Sequence, residues 1–127
     1  MAAGDAFQKA VDDHLVKTGN FYNAAGVFNP NQPGDLMNLW WDDYLHASKY
    51  GSYLDALMQF GAITGLDPQS LGINELAAND LGISASDARI LQQVAAATLG
   101  FAVVPEPASL ALMCIGLLGF VARGRRR

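Results

Sequence analysis

The segment from Val104 to Arg127 leaves this chain the fewest options. Pro105-Glu106-Pro107 is followed by fifteen uncharged residues, Ala108 to Ala122, and then by Arg123, Arg125, Arg126 and Arg127. Within the apolar run, Leu110, Leu112, Ile115, Leu117, Leu118, Phe120 and Val121 each favour a bilayer by roughly 0.3 to 0.6 kcal/mol. An arginine at the bilayer centre costs about 2.5 to 3.5 kcal/mol, so the basic cluster halts the run, and the bias of basic residues toward the cytoplasm fixes its side. The sequence therefore predicts one transmembrane helix over 108–122, a cytoplasmic tail over 123–127, and an outward-facing body before them.

Backbone chemistry explains the proline pair. Pro105 and Pro107 push Val104 and Glu106 out of the helical region into extended conformations. A protease cleft generally takes an extended peptide, which makes the tripeptide at the membrane surface a natural processing site. The apolar run is also short. At about 1.5 Å per residue it covers roughly 22 Å against a hydrocarbon core of roughly 30 Å, which suits a temporary anchor.

The order of parts resembles the PEP-CTERM sorting signal, in which Val-Pro-Glu-Pro precedes a Leu/Gly-rich helix and a terminal Arg cluster. Val104-Pro105-Glu106-Pro107-Ala108-Ser109-Leu110 follows that pattern closely, with helix and Arg tail in register. The resemblance implies recognition by exosortase, a membrane-embedded enzyme, in bacteria that make extracellular polysaccharide. It implies transit through the inner membrane, cleavage near the motif, and a mature form at the cell surface or extracellular matrix, with exopolysaccharide as a candidate partner. A permanent tail anchor is the alternative. Such an anchor would stay in the mature protein, whereas a processed one is discarded.

The N-terminus departs from that pattern. Met1-Ala2-Ala3-Gly4-Asp5 opens on a polar, acidic helix without a basic n-region or an apolar h-region. A chain opening this way is expected not to be exported by its own N-terminus: either its true start differs, or it is a C-terminal fragment of a longer exported protein, or export fails. An exported enzyme whose catalytic part lies upstream is a third reading.

Ahead of the apolar run the charge is strongly acidic. Residues 1–107 hold twelve acidic residues against Lys9, Lys17, Lys49 and Arg89, a net charge of −8. Nucleic acid and anionic membrane surfaces are not expected partners. About a hundred residues suffice for one small domain. The only cysteine, Cys114, lies in the apolar run, so no intramolecular disulfide can form.

Periodicity makes the body helical. Ala6 to Thr18 carries Phe7, Val11 and Leu15 at spacings of four, with Gly19 placed to end the helix, and 19–34 reads as a long surface loop rich in Asn, Pro and Gly. Asp35 is placed to cap a helix whose face is Leu36, Leu39, Trp40, Tyr44 and Ala47. A turn is expected near Gly51, followed by a helix capped by Ser52, carrying Leu54, Leu57, Met58 and Phe60 and ending near Gly65. Asp67-Pro68 opens a short turn. Two phrases then repeat, Leu71-Gly72-Ile73-Asn74 and Leu81-Gly82-Ile83-Ser84, and both read as helix starts with Asn74 and Ser84 as caps, Asp87 completing a capping box, and Ile73 and Ile83 as staples. The final helix of the body runs from Ala85 to Leu99 with Ile90, Leu91, Val94 and Ala97.

Chemistry is sparse. Asp42, Asp43 and His46 would share one helix face within metal-binding reach, but His14 has no placed partner and a solvated face is the plainer reading, so no metal or other cofactor is expected. On a helix Trp40 and Trp41 would point about 100° apart, one into the core and one at its rim, where sugar stacking is the alternative role. Ile83 to Leu91 resembles the end of a dockerin calcium loop, yet the preceding alternating ligands are missing except Asp80, so an ordinary capped helix is expected. No nucleophile motif or phosphate loop is present. The fold class expected is all-α: an acidic helical domain over 1–100, an extended linker over 101–107, the transmembrane helix and the basic tail. The function expected is a non-enzymatic structural or interaction role at the surface or in the matrix.

Overall fold

The computed structural model describes residues 3–17, 36–43 and 45–102. The regular elements among them are helical: α1 (Ala3–Asp12), α2 (Lys49–Thr64), a single 3-10 turn (Pro68–Leu71), α3 (Leu76–Asp80) and α4 (Ala85–Leu99). The described residues contain no strand, only two isolated pairings, Val16 with Met37 and Trp40 with Ala47. No described helix is long and apolar enough to cross a membrane, and the expected span over 108–122 lies outside the described residues.

The core is built on α2 and α4, which run in the same direction. Lys49 Nζ donates to the carbonyl of Gly82 (2.7 Å) at their N-terminal ends, while Gly61 lies against Leu99 at their C-terminal ends. Leu54, Leu57 and Met58 interlock with Leu91, Val94 and Ala95, all fully buried or nearly so. α1 closes the third side through Ala6 and Ala10, whose small side chains let the helices approach.

Helix ends follow local rules. α1, α3 and α4 each close with paired bonds of the Schellman type, in which a left-handed residue is followed by an apolar one: His14 then Leu15, Gly82 then Ile83, Gly100 then Phe101. The first helix thus ends before the expected Thr18-Gly19, because His14 takes the left-handed position at φ 57°. A Cβ in that region costs roughly 1 to 2 kcal/mol, partly offset in Gly by greater unfolded-state freedom. His14→Gly is therefore expected to stabilise the domain by about 0.5 to 1 kcal/mol in denaturant titration; a loss of stability would mean that the imidazole makes a contact that matters. Gly65 and the 3-10 turn, capped by Asp67 with Pro68 at its first position, stand where the sequence places them.

Among the described residues of 35–47 the expected helix is not formed. Its carbonyls are already committed: Met37 accepts from Lys17 N (2.8 Å), Asn38 from Ser48 Oγ (2.5 Å) and Leu39 from Ser48 N (2.9 Å). Side chains compete as well, with Asn38 Oδ1 accepting from Trp40 N and Asp43 Oδ1 from Leu45 N and His46 N. The backbone is extended instead, burying Met37 and Leu39 at a spacing of two. Asp35 and Tyr44 of the expected helix lie outside the described residues, as do Thr18, Gly19 and the loop over 19–34.

Two further expectations move by a few residues. Ser48, not Ser52, caps α2, its hydroxyl accepting from Tyr50 N and Gly51 N, so Gly51 lies inside the helix and not at a turn. Glu75, not Asn74, caps α3, because its two carboxylate oxygens take both Ala77 N (2.8 Å) and Ala78 N (2.6 Å). α4 spans Ala85–Leu99 as the sequence predicts, with Asp87 N donating to Ser84 Oγ.

Candidate functional site

The last described residues are held at one defined place. After Gly100 reverses the backbone, Phe101 N donates to Ala96 O (2.8 Å), and Gln69 Nε2 reaches across from the 3-10 turn to the carbonyl of Ala102 (2.9 Å). The last described residues are thus tied to the C-terminal ends of α2 and α4. The expected sorting residues Val104, Pro105, Glu106 and Pro107, the apolar residues from Leu110 to Val121 and Arg123, Arg125, Arg126 and Arg127 lie outside the described residues. Among the described residues, the core and the apolar side chains packed against it run as far as Leu99.

Asp42, Asp43 and His46 do not share a helix face. They lie in the turn that joins Trp40 to Ala47, where Asp43 meets His46 Nδ1 at 2.5 Å, and among the described residues no three His, Cys, Asp or Glu side chains gather as a metal site would need. The His46 backbone N–H, then its imidazole, then the Leu45 N–H hold the Asp43 carboxyl down from 3.8 to about 2. A depressed carboxyl pKa means that the turn is most stable above the ordinary value and loses that stability as pH falls through about 2. Carboxyl-carbon NMR should accordingly place the Asp43 midpoint near 2, with the Leu45 and His46 amide shifts moving in step; a midpoint near 3.8 would show the turn to be open in solution.

Trp40 is half-buried and its ring meets Phe7 edge to face, with centroids 5.6 Å apart, whereas Trp41 is 58% exposed. The two differ in burial as neighbours in a non-helical segment, not around a helix. Beside Trp40 a shallow groove is lined by Phe7, Leu45, Ala47, Ser52 and Asp55. The segment that resembles a dockerin loop end is a capped helix start, with Asp80 exposed at the end of α3.

One polar cluster was not legible in the sequence. Gln92 is buried in α4 and its Nε2 donates to Tyr53 Oη (3.1 Å) and to the Gly72 carbonyl (2.8 Å). Tyr53 in turn bonds the Glu75 carboxylate that caps α3, and burial pushes its phenol above the ordinary range. The cluster ties the 65–84 connection to both long helices, a structural task that leaves no buried polar side-chain atom unpaired among the described residues. The only advance signal was a glutamine beside Leu91 in an otherwise apolar stripe.

Comparison with known proteins bears on the tail alone. Neither the curated proteins nor the solved structures contain a match to this chain. Residues 103–127 match the family model described as the PEP-CTERM protein-sorting motif. Signals of this kind are recognised by exosortase and imply membrane transit toward the cell surface. The chain thus carries a PEP-CTERM sorting motif over its last 25 residues, directly behind a helical body described as far as Ala102.

Proposed function

We propose that this chain is an exosortase substrate whose C-terminal segment is a removable anchor for a non-catalytic helical domain. The observation that carries the reading is the match over 103–127, which coincides with the prolines, apolar run and arginines in functional order. Residues 108–122 act as the transmembrane helix, 123–127 as the cytoplasmic stop, and 101–107 as the extended linker presented to the enzyme at the outer face. The domain over 1–100, carrying nearly all the acidic charge, faces outward and has a structural or interaction role at the surface or in the matrix. Processing suits this body because α4 and its cap, Gly100, end before the matched segment begins.

The test is an intact-mass measurement. With a secretion signal supplied ahead of the chain and an exosortase in the host, surface material should lack the residues from Ala108 onward. Wild-type material still ending at Arg127 in such a host would leave a permanent single-span anchor as the reading.

A further inference from the structure

Parallel packing puts two helix C-termini, and the exit of the chain, at the same end of the molecule. Gly61 of α2 lies against Leu99 of α4, both helices end in left-handed glycines, and Gln69 holds the Ala102 carbonyl beside them. That end carries exposed apolar side chains: Ile63, 79% exposed in the last turn of α2; Leu66, 55% exposed just past it; and Leu71 on the same 3-10 turn as Gln69. Such side chains are costly to leave in water when an apolar phase is within reach.

The sequence puts that phase within reach. Residues 103–107 separate Ala102 from the apolar run, and five residues span at most about 18 Å even when fully extended. If 108–122 is inserted, a reading on which this inference rests, the exit end is held against the outer face of the bilayer at high effective concentration. Electrostatics selects the kind of lipid. Neither α2 nor α4 has a basic residue in its last turn, and two helix C-termini present partial negative charge there, so anionic headgroups gain nothing at this end.

We infer that the exit end of the domain docks on a zwitterionic lipid surface through Ile63, Leu66 and Leu71 while the tail is inserted. The contact is apolar and small, and it depends on the tether. It holds the linker at the interface before cleavage and lets the domain leave once the tether is cut.

The test uses the full chain with its only cysteine removed (Cys114→Ala) and single cysteines introduced as Ile63→Cys, Leu66→Cys or, as control, Leu45→Cys. Leu45 is as exposed as Ile63 but lies beside Ser52 near the other end of α2. Each variant is labelled with an environment-sensitive fluorophore and reconstituted into phosphatidylcholine vesicles with or without acyl-chain nitroxide. Vesicle flotation is the first readout. The expected result is flotation, with a blue shift and nitroxide quenching at positions 63 and 66 that survive high salt, and water-like emission at 45. Adding Ile63→Ser and Leu71→Ser to the chain labelled at 66 should abolish the shift without abolishing flotation. Flotation with water-like emission at 63 and 66 would overturn the docking alone, and failure to float would remove the anchor reading and the docking with it. A blue shift without lipid quenching would mean that protein covers the patch, either a second copy or residues 103–122, and would also overturn the inference.

Discussion

Gly51→Ala is expected to lower the melting temperature by about 12 to 24 °C, from an overpacking cost near 3 kcal/mol at about 4 to 8 °C per kcal/mol for a domain of this size. A Cβ on Gly51 would overlap the backbone carbonyl of Leu39 and would stand 3.1 Å from both Ala47 Cβ and Phe7 Cζ. The carbonyl cannot retreat cheaply, because it accepts from Ser48 N, and Ser48 is the residue that caps α2. The damage should therefore spread to the cap and to the 36–48 segment. Gly61→Ala is the control. Its Cβ would meet chiefly Leu99 Cδ1, the far end of a flexible side chain, and alanine gains about 1 kcal/mol of helix propensity over glycine. The two substitutions are chemically identical and sit in one helix, so equal losses in thermal unfolding would refute the assignment of Gly51 as a contact notch.

Changing Pro105 and Pro107 together to Ala should leave the anchor inserted and block release. Without the prolines, the residues from Val103 to Ser109 include nothing that prevents helix, and the proposed membrane helix can extend back through the proposed cleavage region. A helical peptide does not fit an extended cleft, so full-length chain ending at Arg127 should accumulate in the membrane. Replacing Arg123, Arg125, Arg126 and Arg127 by Ser breaks a different requirement. Each arginine resists the bilayer centre by about 2.5 to 3.5 kcal/mol, so their loss should weaken retention and mix the orientations. Intact mass separates cleaved from uncleaved chain, and protease access from each side of the membrane reports orientation. Normal processing of the proline variant would show that the enzyme does not need an extended segment there.

What could be read from the sequence was what neighbouring residues settle among themselves. α4 is legible because Ser84 and Asp87 mark its start within one turn of the apolar stripe. Gly65 and Asp67-Pro68 are legible for the same reason, and so is the tail, where charge, hydropathy and proline act in order along the chain. The segment over 35–47 was misread because its pattern suits a helix while its carbonyls are claimed by Lys17 and Ser48, residues outside it. Gly51 was misread because glycine most often punctuates, whereas here it admits a foreign backbone.

The sequence by itself determined that this chain is a helical body with a PEP-CTERM sorting motif behind it, since both rest on local periodicity and on the order of a few residue types. Only the tertiary structure decided that α2 and α4 run parallel, that Gln92 is buried against Tyr53 and Gly72, and that the chain exits beside Ile63, Leu66 and Leu71. Those features depend on contacts between residues some twenty to forty positions apart. Hydrophobic burial rewards many such arrangements about equally, and only the detailed fit of carbonyls, small residues and one buried amide selects among them.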